Sequence, residues 1–157
     1  MGILGPFPRA RGGYRYLYVD IDKFTKWEEV EAICTIPAGS AVKFIKDLMS
    51  RFRVPNRIIT DYGSQFTSNL FKTYCTNLGT QICYASVAHP RSNTQAERAN
   101  AEVLRGLKTK TFKKKLEACG RGWLDELWSV LWSVHTTGTK STGKTPFFLL
   151  YGAEVVL

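Results

Sequence analysis

At 157 residues, with 44% hydrophobic and 13% aromatic side chains, the chain is one domain's worth of polypeptide, and its composition excludes a disordered protein. Lysine and arginine total 22 against 13 acidic residues, and the formal charge of +9 favours polyanionic partners, nucleic acid foremost, though simple solubility would account for it equally well. No run of about 18 apolar residues occurs, which excludes a spanning helix and sets the expectation of no membrane partner. Cys34, Cys75, Cys83 and Cys119 are scattered, without a CxxC, so no zinc finger or ribbon can be built from them. The opening "MGILGPFPRARGG" is too broken by proline and glycine for a secretion signal. Reduced, mostly buried cysteines in an intracellular protein, nuclear or cytoplasmic, are therefore expected.

In chain order, "ILGPFP" reads as a short strand interrupted by its prolines, and the segment Tyr14–Ile21 ("YRYLYVDI") is rich in strand formers. "EEVEAIC" alternates polar and apolar residues from Glu28, as a half-buried strand does, so the first three strands predict an antiparallel meander. After Pro37, apolar residues at Val42, Ile45, Leu48, Met49 and Phe52 predict one buried helix face. A strand over Arg57–Thr60 follows, then a helix capped by Ser68 and stopped at Gly79. Residues Gln81–Ser86 predict another strand, "VAHPRSN" a loop, and two helices are expected over about 94–118 and 123–135. The order β-β-β-α-β-α-β-α-α predicts an α/β domain: a mixed central sheet of about five strands with helices on both faces. One domain over 1–157 is expected.

Two carboxylates stand out. Asp61 ends a strand in "RIITDYGSQF", and Glu97 opens the long helix in "HPRSNTQAERAN". In α/β sheets functional groups gather just beyond strand ends, and a helix dipole favours an acid in the first turn. Alone, Asp61 reads as a turn-forming residue before Gly63 and Glu97 as an ordinary first-turn glutamate. Together, with thirty-five residues between them that include a helix and a strand, they read as a pair.

The blocks "TDYGSQF" and "AHPRSNTQAERAN" resemble the D-x35-E portion of retroviral and retrotransposon integrase cores, where they read TDNGSQF and HPQSNGQAE. "GPFP", "GGYRYLYVDIDKFTKW", "WLDEL", "VLW" and "STGKTPFFLLYG" extend the resemblance over almost the whole chain, and it looks most like the core of gypsy-type LTR retrotransposons. The resemblance implies a ribonuclease H-like fold and a D-D-E polynucleotidyl transferase that processes and joins DNA ends, a transferase and endonuclease in one. It implies Mg²⁺ or Mn²⁺ as cofactor, with Asp61 and Glu97 as catalytic residues and metal ligands. Such chemistry suits two ions roughly 3.5–4 Å apart, which stabilise the attacking and leaving oxygens, and hard carboxylate ligands suit magnesium. By the same resemblance Ser92, Asn93 and Gln95 lie in the loop beside the DNA end, with Asn100 completing an ExxN pattern three residues after Glu97. Arg98, Arg105 and Lys108 load the long helix with charge and are expected to meet phosphates, a solvated helix face being the bland alternative. A homodimer is expected by analogy, and no small-molecule substrate. The family's zinc-binding N-terminal domain and C-terminal DNA-binding domain are expected to be absent.

The chain departs from the family pattern at its first acid. That aspartate precedes the hydrophobic pair leading into Gly-Pro, and here the position is Gly2. Impaired catalysis is expected, with a catalytically silent DNA-binding or dimerising relic as the alternative. Asp20, on the second strand, is a candidate substitute ligand if strand register brings it to position 2. Tyr62 replaces the usual asparagine of DNG, and Thr94 a glycine that would leave the loop freer. "GTKSTGKT" (138–145) fits the phosphate-loop pattern GxxxxGK(S/T), a remote nucleotide-binding alternative. That mechanism needs a strand before the loop and a helix after it, whereas here a helical pattern precedes it. Trp123, Trp128 and Trp132 are expected in the core or a dimer interface.

Overall fold

The computed structural model describes residues 1–85, 101, 103, 105, 106 and 122–155. The first three strands, β1 (Gly2–Leu4), β2 (Tyr16–Ile21) and β3 (Glu28–Ile33), form an antiparallel sheet in the order β1-β2-β3. The helix α1 (Ala38–Arg51) follows, then β4 (Arg57–Thr60), the short α2 (Ser64–Thr67), α3 (Asn69–Asn77) and β5 (Gln81–Tyr84). β4 and β5 pair in parallel, Thr60 opposite Tyr84. Two later helices are α4 (Trp123–His135) and α5 (Pro146–Tyr151). The five strands thus fall into sheets of three and two. A bridge between them is the bond from the Met1 nitrogen to the Ile59 carbonyl, 2.8 Å, which sets the start of β1 against β4.

β2 is the divider. Side chains alternate faces along a strand, and Tyr18 enters one core with Met1, Ala41, Phe44, Ile45, Leu48, Ile58, Phe66, Phe71 and Cys75. Leu17 and Val19 enter a second core with Ala10, Val103, Trp123, Leu127, Val130 and Leu131. Helices therefore cover both faces, as the apolar run in β2 predicts. On the α1 side, Glu29 and Glu31 of β3 meet Arg51 at 2.8 Å and Lys43 at 2.7 Å. On the other face, the ideal Cβ of Gly106 would lie 2.6 Å from Val130 Cγ1. Only glycine lets that helical segment approach α4 so closely.

Local signals explain the boundaries. Ser68 accepts a hydrogen bond from the Phe71 amide at 3.3 Å, satisfying one orphan donor of α3, which stops before Gly79. Thr145 caps α5 in the same way at 3.0 Å, with Pro146 in its first turn. Phe52, expected on the buried face of α1, lies beyond its last residue and is exposed. Phe44 fills that face instead, stacked on Tyr18 at 5.2 Å between ring centroids. Trp123 is buried, as expected of a core residue, whereas Trp128 and Trp132 of the same helix face solvent. Cys34 is exposed and Cys75 buried.

The end of α4 is anchored by His135. Its ring stacks on Trp27 at 3.6 Å and 13°, and its Nε2 lies 2.8 Å from the Glu28 carbonyl. A carbonyl only accepts, so Nε2 carries the proton. Burial holds the His135 pKa below its ordinary 6.5, opposed by the Glu28 carbonyl and the Glu29 carboxylate. The unfolded chain then binds the proton at higher pH than the folded one, so stability is full above the unfolded value and falls as pH drops through it. The expected outcome is a lower urea midpoint at about pH 5 than at pH 7. His135→Phe, which cannot titrate, shows a smaller decline over that range; equal declines would remove His135 as the cause.

Candidate active site

The tip of β4 is built from its own turn. The Asp61 Oδ1 accepts from the Gly63 amide at 2.8 Å, and Thr60 Oγ1 donates to the Asp61 carbonyl at 2.9 Å. The turn reading of Asp61 is therefore correct, and it is compatible with a second role: one oxygen is tied by a single bond while the carboxylate stays exposed. Among the described residues, ion pairs engage Asp20, Glu29, Glu31 and Asp47 but not Asp61. Gly63 is closely approached by two side-chain ends. Its ideal Cβ would lie 2.8 Å from Asp61 Oδ1 and closer still to the Gln65 amide, which is buried beside it.

Around the tip stand Tyr18, Tyr62 and Tyr84. Burial raises the Tyr18 hydroxyl above its ordinary 10.0, the Ser40 hydrogen bond lowers it in part, and the charges of Glu31 and Asp61 add to the rise. Tyr62, 66% exposed, stacks on Tyr84 at 4.9 Å and 18°. Tyr84 Oη donates to the Phe66 carbonyl at 3.1 Å. Tyr84 and Gln65 are neighbours of Asp61 that sequence reasoning did not single out. The signal for Tyr84 was the strand–helix–strand crossover, which sets the last residues of two parallel strands side by side.

Register decides what lies near position 2. Gly2 is buried and opposes Val19, so the two share the face of the second core. Asp20 opposes Glu29 and is one residue out of step, so alternation turns it to the other face, where its carboxylate lies 3.6 Å from the Met1 nitrogen. The cross-strand partner of Gly2 is thus Val19, not Asp20. Arg105 is helical and exposed. Glu97, Ser92, Asn93, Thr94, Gln95, Arg98, Asn100 and Lys108 lie outside the described residues. Among the described residues no group of three or more His, Cys, Asp or Glu side chains is placed to hold a metal.

The stretch 138–145 turns inward on itself. The amides of Thr142 and Gly143 bond to the Thr139 carbonyl, that of Thr139 to the Lys144 carbonyl, and that of Lys144 to Thr142 Oγ1. Amides spent this way do not cradle a phosphate, and α4 rather than a strand precedes them. Lys144 packs over the Phe148 ring at 4.7 Å.

A family profile described as "Integrase core domain" matches residues 3–90. The Gag-Pol polyprotein of Feline leukemia virus is 33% identical over 142 residues, covering 90% of this chain and 8% of the polyprotein. The Pro-Pol polyprotein of Simian foamy virus type 3 is 28% identical over 151 residues, covering 96% and 13%. The chain therefore spans only about a tenth of such relatives. Among solved structures, a chain of the simian T-cell lymphotropic virus intasome superposes with a TM-score of 0.76 at 20% identity, covering 99% of this chain and 55% of that one. The HTLV-2 integrase catalytic core domain in complex with magnesium, in its trimeric form, gives 0.70 at 17% identity, covering 94% and 93%. These structural likenesses establish a ribonuclease H-like fold, and with the profile they lead to one conclusion: the chain belongs to the integrase core domain family.

Proposed function

We propose that this chain is a retrotransposon integrase core that binds DNA and is built for Mg²⁺- or Mn²⁺-dependent polynucleotidyl transfer, with that activity impaired by glycine at position 2. The observation that carries the reading is Asp61, an exposed carboxylate beyond the end of β4, without an ion-pair partner among the described residues. The bond from Met1 to Ile59 brings the start of β1 against this strand, so position 2 and Asp61 belong to one neighbourhood. A carboxylate with free lone pairs is a hard donor that suits magnesium, and glycine supplies no donor at all. Asp61 and Glu97 would hold the ion, which when bound stabilises the entering and leaving oxygens of the phosphodiester. Ser92, Asn93, Gln95, Arg98, Asn100, Arg105 and Lys108 would fix the DNA through phosphate and sugar contacts without reading sequence. Asp20, turned to the opposite face from position 2, is the weaker candidate for a third ligand.

The second reading, a silent DNA-binding or dimerising relic, is favoured by Gly2 itself and by the exposed tryptophans Trp128 and Trp132, which would meet a second copy. Metal titration separates the two. Under the first reading Mn²⁺ raises the melting temperature of the wild-type chain and supports slow nicking of a DNA duplex. If neither occurs and Gly2→Asp gains both, the relic reading stands. A folded Gly2→Asp chain that gains neither overturns the assignment of this neighbourhood as a metal site.

Gly63→Ala probes the same geometry from the other side. Its added methyl would push aside the Gln65 amide and the Asp61 carboxylate, side-chain ends that can turn away, so the cost is expected near the low end of overpacking, about 1 kcal/mol. In the Gly2→Asp background it is expected to lower the melting temperature and abolish the metal response. Asp61→Asn keeps an oxygen for the Gly63 amide, so it abolishes the metal response while leaving the melting temperature near that of its parent. An unchanged metal response in Asp61→Asn would remove Asp61 from the ligand set.

A further inference from the structure

The geometry points to Tyr62 as a stacking platform for an unpaired nucleobase beside Asp61. This role rests on the DNA-binding reading above and adds to it a residue that no part of that reading uses. Tyr62 stands where the family pattern has asparagine, yet its ring is not loose on the surface. One face lies against Tyr84, 4.9 Å away and inclined by 18°, while the residue as a whole stays 66% exposed. Tyr84 is fixed in turn by β5 and by the bond from its hydroxyl to the Phe66 carbonyl at 3.1 Å. The backbone on the other side of Tyr62 is fixed by the Asp61 turn, closed by the Gly63 amide at 2.8 Å. The result is a two-ring stack with one backed face and an open remainder, held immediately next to a strand-tip carboxylate.

A large exposed ring costs solvation, and nothing in the β4–β5 pairing needs it, because the pairing ends at Thr60 and Tyr84. What it offers is a flat surface already ordered before any ligand arrives. Base–aromatic stacking is sequence-tolerant, since every base has a π-face, and it suits a chain of formal charge +9 that attracts the phosphate backbone by electrostatics alone. A paired base at the end of a duplex is held in the plane of its pair, so its outer face meets a ring only if the whole duplex end abuts it. An unpaired base can turn onto a ring. Tyr62 would therefore favour DNA whose terminal base is unpaired, and would hold the backbone of that nucleotide close to Asp61.

The test uses the full chain and a short DNA duplex carrying 2-aminopurine as its terminal base, either unpaired or paired. Binding is read by anisotropy, and stacking by quenching of the 2-aminopurine. The wild-type chain is expected to quench the unpaired base and to bind that duplex about tenfold more tightly than the paired one. Tyr62→Ala loses the quenching and the preference, whereas Tyr62→Phe retains both. If the wild-type chain binds both duplexes equally, or Tyr62→Ala keeps the preference, the stacking role is overturned while DNA binding stands. If neither duplex is bound, the DNA-binding reading fails and this inference fails with it.

Discussion

The burial of β2 on both faces is the constraint on which the rest of the molecule depends. Tyr18 and Leu17 have no measurable exposure, and Val19 retains 2%. Complete burial of such side chains contributes about 1.5–3 kcal/mol each. A strand can claim that on both faces only if both are covered, so α1 and α3 must lie on one side and α4 on the other. Once they do, the ends of the strands are the accessible parts of the sheets, and polar chemistry is confined to the tips and turns. Asp61 lies at such a tip because the interior has no place for it.

The two kinds of acid in this fold illustrate the same constraint. Glu29 and Glu31 lie on a covered face of β3 and meet Arg51 and Lys43 from α1. They tie sheet to helix at a modest net gain, since partly exposed ion pairs contribute little. Asp61 has no such partner among the described residues and gives one oxygen to its own turn. A carboxylate left in that state keeps its remaining lone pairs for an external cation. The bond from the Gly63 amide fixes where those lone pairs are aimed.

Much of this was legible in the sequence because it depends on short-range periodicity. The alternation in "EEVEAI", the apolar spacing in α1 and α4, and the capping by Ser68 are all local patterns, and each sets an element in the structure. Phe52 failed as a core residue because periodicity does not say where a helix stops; α1 ends one residue earlier. The assortment of five strands into three and two depends on pairings distant in the chain, which no local pattern encodes. The site divides along the same line. Asp61 at a strand end was legible from "RIITDYG" alone. The stacking of Tyr62 on Tyr84 was not, because it follows from the register that sets Thr60 opposite Tyr84. Asp20 failed to oppose Gly2 for a related reason: a one-residue difference in register moves a side chain to the other face of the sheet.

Position 2 sets folding against chemistry. Gly2 is buried, and the face it shares with Val19 belongs to an apolar core. An ionised aspartate there would carry a desolvation penalty of several kcal/mol unless a cation met it. Glycine in a strand costs only roughly 0.5–1 kcal/mol relative to alanine, through lost conformational entropy. With a metal bound, the acid is repaid by the ion; without one, it is a pure burden on the fold. A chain no longer selected for catalysis would therefore shed this acid readily, because its loss stabilises the unliganded protein. Asp61, exposed and useful to its turn, carries no such penalty and would persist. Under the proposed reading, loss at position 2 with retention at Asp61 is the order in which the metal site would come apart.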